Sequence, residues 1–197
     1  MTEIVLQNNL VKLRKIQQSD VEAVFDVATK PEIWTHIAMT LSTKEDVEKY
    51  VATQVQFNET GERIVFVVID QITEKIIGVT SIFDVSNIHA HCEIGATWLT
   101  PNYWRTGVNT NCKFLLLEYI FETLEFERAQ IKTDNLNERS QRAIERIGAT
   151  FEGRLRSHMR RKDGTMRDTI MYSIIKEEWP KVKGNLQQML EVYEERE

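Results

Sequence analysis

Cysteine is scarce in this sequence: Cys92 and Cys112 are the only two in 197 residues, and no CxxC pair occurs. A disulfide framework is thereby excluded. No stretch reaches the ~18 consecutive apolar residues of a membrane span. No apolar run of leader length occurs near Glu3 either. The expectation is a reducing, cytoplasmic setting without a membrane partner. A basic excess is also lacking, with 25 Lys and Arg against 30 Asp and Glu, net −5. No nucleic-acid partner is expected, since phosphate contacts need a basic surface. Glycine is sparse, eight in all, with neither the Gly-Lys-Ser/Thr of a Walker loop nor a three-glycine dinucleotide fingerprint. What is present is 42% hydrophobic residues, enough for a core without disulfides or metals. The length fits one domain, 1–197, with a core over about 10–179 and a helical tail over 177–197.

The patterning gives the order β α α β β β α β α β β α. "LVKLRKI" from Leu10 alternates apolar and charged residues, as a half-buried strand does. Val21, Val24, Phe25 and Ala28 then fall at helical spacing, with Ser19 and Glu22 as a capping box. Thr43 and Asp46 repeat the device before a second helix. "RIVFVVID" from Arg63 is continuously apolar, like a strand covered on both faces. It forms a hairpin with "KIIGVTSIFDV", and "HCEIGATWL" from His91 follows as another strand. A helix apolar all round starts near Gly107. "RAQIKTD" is a strand, and Asn137 caps a short helix that Gly148 stops. A last hairpin turns at Asp163-Gly164, and a polar helix runs from Glu177.

The junction "WLTPNYWRTGVNTN" joins a strand to the buried helix. A helix beginning at Gly107 or Val108 leaves its first N–H groups unpaired and favours an anion there. Arg105 adds charge; Thr106, Asn109 and Thr110 add donors. A pyrophosphate turn and a plain helix start are both compatible with this spacing.

The element order, this junction and "NERSQRAIERIGATFEG" together resemble the GNAT superfamily of acetyl-CoA-dependent N-acetyltransferases, within it the ribosomal-protein N-terminal (RimJ/RimL-type) branch. The resemblance runs from about Leu10 to about Trp179 and is strongest over Glu93–Gly153 and in "RDTIMYSI". It implies a mixed α/β fold: a mostly antiparallel seven-stranded sheet flanked by helices and splayed between the fourth and fifth strands. It implies acetyl-CoA as co-substrate. The spacing of His89 and His91 could also suggest a metal site, but no clear third ligand is visible in the sequence, so no metal is expected. The family's Q/R-x-x-G-x-G/A turn falls on Trp104, Arg105, Thr106, Gly107, Val108 and Asn109, with Thr110 following; only Gly107 matches. By resemblance these residues hold the CoA pyrophosphate, Asn137 contacts the pantetheine arm, and Leu99 offers it backbone groups.

Acetyl transfer needs a neutral amine, a stabilised carbonyl oxygen and a protonated or departing thiolate. Glu93 is the leading base, being an acidic residue in an otherwise apolar strand; a salt bridge to a neighbouring strand is the competing role. His91, on the same strand face as His89, is the second candidate. The family's usual thiolate-protonating Tyr is missing from Ala143-Ile144-Glu145, which leaves Ser140, a water or direct departure. The cysteines read as core fillers. Trp34, His36, Met39 and Phe83 are expected along the acceptor cleft, with Glu93 and Asp84 drawing in a cationic amine, either a peptide N-terminus or a small molecule. Two other readings stand beside the enzyme: a non-catalytic CoA-binding protein of the same fold, and a partner-binding protein docking through Leu186, Met189, Leu190 and Tyr193, a stripe that could instead pack on the core or form a homodimer.

Overall fold

The computed structural model describes residues 4–194. One eight-stranded sheet carries the fold, in the order β1-β2-β3-β4-β5-β6-β8-β7. Its strands are β1 (Val5–Gln7), β2 (Val11–Lys15), β3 (Arg63–Asp70), β4 (Ile76–Ser86), β5 (His91–Leu99), β6 (Arg128–Asp134), β7 (Thr150–Arg160) and β8 (Met166–Ile175). The helices are α1 (Val21–Ala28), α2 (Lys44–Thr60), α3 (Val108–Glu118), α4 (Glu138–Arg146) and α5 (Trp179–Glu194). The strand count exceeds the expected seven by β1, which pairs antiparallel with β2 through Leu6 and Leu13. Three residues are too few to show an alternation. The turn is made by the Asn8 side chain, whose Oδ1 accepts from the Leu10 and Val11 amides at 3.1 and 3.0 Å.

The apolar residues of β3 divide between the two faces, as its continuous run predicts. Phe66 and Val68 join α3 and α5 on one side; Val65 and Val67 join α1 and α2 on the other. Thr43 and Asp46 cap α2 reciprocally: Thr43 Oγ1 accepts from the Asp46 amide at 3.1 Å and Asp46 Oδ2 from the Thr43 amide at 2.9 Å. At α1 the expected Ser19 box gives way to Asp20, whose carboxylate takes the Gln17 amide and both terminal nitrogens of Arg14. The terminal stripe is no free docking face where it is described. Leu186 is buried in the core with Trp179, whose ring lies 5.4 Å from that of Phe121. The side chain of Tyr193 falls outside the described residues.

Two features of β5 shape the site. Its parallel pairing with β6 covers only His91, Cys92 and Glu93, so from Ile94 onward the two strands diverge. This is the expected splay. On its other edge, β5 sets Ala96 and Thr97 opposite Thr80 alone, a bulge between the Val79–Trp98 and Ser81–Gly95 pairs. Ala96 takes φ +47° there.

Candidate active site

Glu93 occupies the last paired position of the β5–β6 ladder, opposite Gln130. It is 1% exposed. Its Oε2 accepts from Lys132 Nζ at 2.8 Å and from Gln130 Nε2 at 3.3 Å. Oε1 takes no hydrogen bond among the described residues and lies 3.4 Å from where a Cβ on Gly95 would sit, so the absent side chain keeps that oxygen accessible. Burial pushes the carboxyl above its usual range, the Lys132 ammonium opposes this, and Asp84 adds to the rise. The salt bridge and the base position coincide in one residue. The His91 ring stacks on His89 at 6.2 Å, and its buried Nδ1 has no hydrogen-bond partner among the described residues.

The junction forms a 3₁₀ turn over Pro101–Tyr103 and then α3, with Gly107 at the N-cap. Gly107 brings no capping side chain, so the first-turn amides of Asn109 and Thr110 are left without one. Val108 is buried, and its amide has only a long contact, 3.3 Å, to Thr106 Oγ1. The left-handed backbone falls on Arg105, φ +64°, and not on Gly107, φ −67°. The Arg105 side chain is exposed. Trp104 donates from Nε1 to the Leu99 carbonyl at 2.8 Å, so that carbonyl is already engaged. The Arg139 guanidinium lies 4.0 Å above the Trp104 ring. Arg146 donates to Thr110 Oγ1 at 3.1 Å. Burial and the neighbouring Arg105 charge both pull Arg139 below its usual range. Such a set of cations around uncapped amides suits a diphosphate.

Asn137 caps α4, its Oδ1 accepting from the Ser140 amide at 3.1 Å. Ser140 is half-buried, and its hydroxyl has no hydrogen-bond partner among the described residues. A cavity of about 360 Å³ brings Asn137, Leu136, Glu138 and Arg139 together with Trp104 and with Glu32, Thr35 and His36 from the segment after α1. Thus His36 lines the same cavity as Trp104, Asn137 and Arg139. Trp34 does not: it is 1% exposed, donates to the Ala28 carbonyl at 2.8 Å and packs on Trp98, so it belongs to the core and not to a cleft wall.

Lys132, Arg139, Arg146 and Lys113 were not singled out from the sequence. Arg139, Arg142 and Arg146 stand at i, i+3, i+7, a spacing that shows a basic face on α4. For Lys132 and Lys113 no such signal exists, because their partners lie on other elements.

A sequence profile of the acetyltransferase (GNAT) domain matches residues 11–150. The chain belongs to this family. GNAT enzymes transfer an acetyl group from acetyl-CoA, and the protein is an acetyltransferase of that kind. It is 28% identical over 177 residues to an uncharacterized N-acetyltransferase of Bacillus subtilis, YoaA, covering 87% of this chain and 97% of the relative. A GCN5-related N-acetyltransferase structure from Brucella melitensis is 26% identical with a TM-score of 0.88, covering 95% of this chain and 86% of the other. The ribosomal L7/L12 alpha-N-protein acetyltransferase RimL shares the fold, with a TM-score of 0.78 at 20% identity over 89% and 96% of the two chains. The residues present fit acetyl-CoA: a strand edge free beyond Glu93, a cavity lined by Trp104, Asn137 and Arg139, and uncapped amides at α3.

Proposed function

We propose that this acetyltransferase acts on a primary amine, a peptide N-terminus or a small-molecule amine, with Glu93 as general base. The observation that carries this reading is the buried Glu93 carboxylate at the floor of the splay, one oxygen held by Lys132 and Gln130 and the other unbonded. Acetyl-CoA supplies the activated acyl group and a thiolate leaving group. Arg105, Arg139 and the amides of Val108, Asn109 and Thr110 hold its diphosphate; Thr106 shapes the turn by donating to the Tyr103 carbonyl at 2.8 Å. Trp104, Leu99 and Asn137 border the pantetheine path. A free amine near pKa 8–10 is mostly protonated at neutral pH. Glu93 Oε1 takes its proton, directly or through a water, and the raised pKa of the carboxyl suits it to the task. Ser140, with its hydroxyl uncommitted, passes its proton to the leaving sulfur as it takes up the proton that the attacking nitrogen sheds. The fold shared with RimL supports a protein N-terminus as the acceptor to test first.

The first experiment is thermal melting with saturating acetyl-CoA, beside ATP and NADH. At one hundred times its dissociation constant a ligand adds about 2.7 kcal/mol, a rise of roughly 5–10 °C for a chain of this size. A rise with acetyl-CoA alone supports the reading. No rise overturns it.

A further inference from the structure

Lys113 is a lysine in the buried face of α3, only 6% exposed. It makes no ion pair among the described residues, and its Nζ donates to Thr97 Oγ1 at 2.8 Å. Thr97 Oγ1 lies 2.8 Å from Thr80 Oγ1 and donates to the Gly95 carbonyl at 3.3 Å. These three side chains meet at the β5 bulge, because Thr80 is the residue that Ala96 and Thr97 jointly oppose. Ala96, at the crown of the bulge, is exposed and has no β6 residue beside it.

A buried ammonium with a hydroxyl as its partner is expensive. Burial brings Lys113 down to about 8. Of the groups around it, α3 contributes Cys112, which opposes the fall but whose own thiol burial pushes up to about 12, while β5 and β4 contribute the neutral Thr97 and Thr80. No carboxylate is among the charges acting on it. An apolar side chain would complete this face of α3 at lower cost. Bulges bend a strand and re-aim its groups, often beside active sites. The sign of the charge suits a place where negative charge develops first on a carbonyl oxygen and then on sulfur.

We propose that Lys113 is a positioning residue of the acetyl-transfer site: through Thr97 its ammonium holds the Ala96–Thr97 bulge in shape and places positive charge behind the strand edge that faces the thioester. This rests on the reading that acetyl-CoA lies along the free edge of β5.

The test uses the full chain and no acceptor. Affinities for acetyl-CoA and for CoA are measured separately by calorimetry, and the carbonyl stretch of bound 13C-labelled acetyl-CoA by infrared difference spectroscopy, across a pH series spanning the Lys113 transition. In the wild type the carbonyl should move to lower frequency on binding, and this shift should fade as pH rises past that transition. Lys113→Met should reduce the shift, remove its pH dependence and cut the preference for acetyl-CoA over CoA about tenfold, while CoA affinity and the folded state persist. Thr97→Val should act like Lys113→Met and Thr97→Ser like the wild type. If Lys113→Met does not fold, the Thr97 pair decides. Wild-type carbonyl shifts in both Lys113→Met and Thr97→Val overturn the proposal while leaving the acetyl-CoA reading intact. Failure of the wild type to bind acetyl-CoA overturns both.

Discussion

Glu93 is a residue whose environment trades stability for chemistry. Its folded-state pKa is raised, chiefly by burial. Between the ordinary value near 4.5 and that raised value the native state binds more protons than the unfolded chain, so stability falls as pH rises through this window. Glu93→Gln should therefore melt no lower than the wild type at neutral pH while acetyl transfer falls about 10²–10⁴-fold; acetyl-CoA affinity should hold, and the rising limb of the pH–rate profile assigned to Glu93 should disappear. A melting loss equal to the activity loss would reduce Glu93 to a structural ion pair. Asp134 behaves in the opposite way. Arg161 donates to its two oxygens at 2.7 and 2.8 Å and holds the carboxyl below its usual range. The stability it contributes is present above the unfolded value near 3.8 and is lost as pH falls through the lower folded value. Asp134→Asn should cost about 1–3 kcal/mol and soften the acid transition, measured by urea melts at neutral and low pH.

At the scale of elements, α4 combines a structural cap with a place beside the cavity. Asn137→Ala removes the bond to the Ser140 amide and should cost about 1 kcal/mol. Asn137→Ser keeps a capping oxygen and should restore that stability. If Asn137 also borders the pantetheine, both variants bind acetyl-CoA more weakly, and a calorimetric titration separates the two roles. Gly148 ends the same helix at φ +92°, with Val182 Cγ2 3.1 Å from where a Cβ would stand. Gly148→Ala should lower stability by about 1–2 kcal/mol without altering the site. Both termini of α4 were legible in the sequence because caps are local: an Asn accepts from an amide three residues on, and a Gly supplies a left-handed backbone. The β5 bulge was not. It depends on Thr80, Thr97 and Lys113, which come from three elements.

For the whole molecule, α5 belongs to the core on which the sheet rests. Val182 and Leu186 are buried with Trp179 against α3, and Trp179 Nε1 donates to Glu122 at 2.7 Å. Truncation at Lys183 removes Leu186 and should destabilise by about 2–3 kcal/mol from that side chain alone, seen as a lower melting midpoint. A docking or dimer helix would instead leave the melt unchanged and shift the mass in light scattering. Among the described residues no helix is long and apolar enough to cross a membrane.

The sequence by itself determined the order of elements from β2 onward, the two-faced burial of β3, the caps of α2 and α4, and the strand-to-helix junction, because each rests on periodicity or on contacts a few residues long. Tertiary structure alone decided the rest. It decided that Trp34 turns into the core, that Glu93 is paired with Lys132 yet keeps a free oxygen, and that Arg139 lies over Trp104 while Arg146 reaches Thr110 in the first turn of α3. It also decided that a buried lysine backs the bulge beside the splay. Those outcomes depend on which side chains meet across β5, β6, α3 and α4. Residues 39 apart, such as Glu93 and Lys132, and 64 apart, such as Trp34 and Trp98, make these contacts, and no local pattern records them.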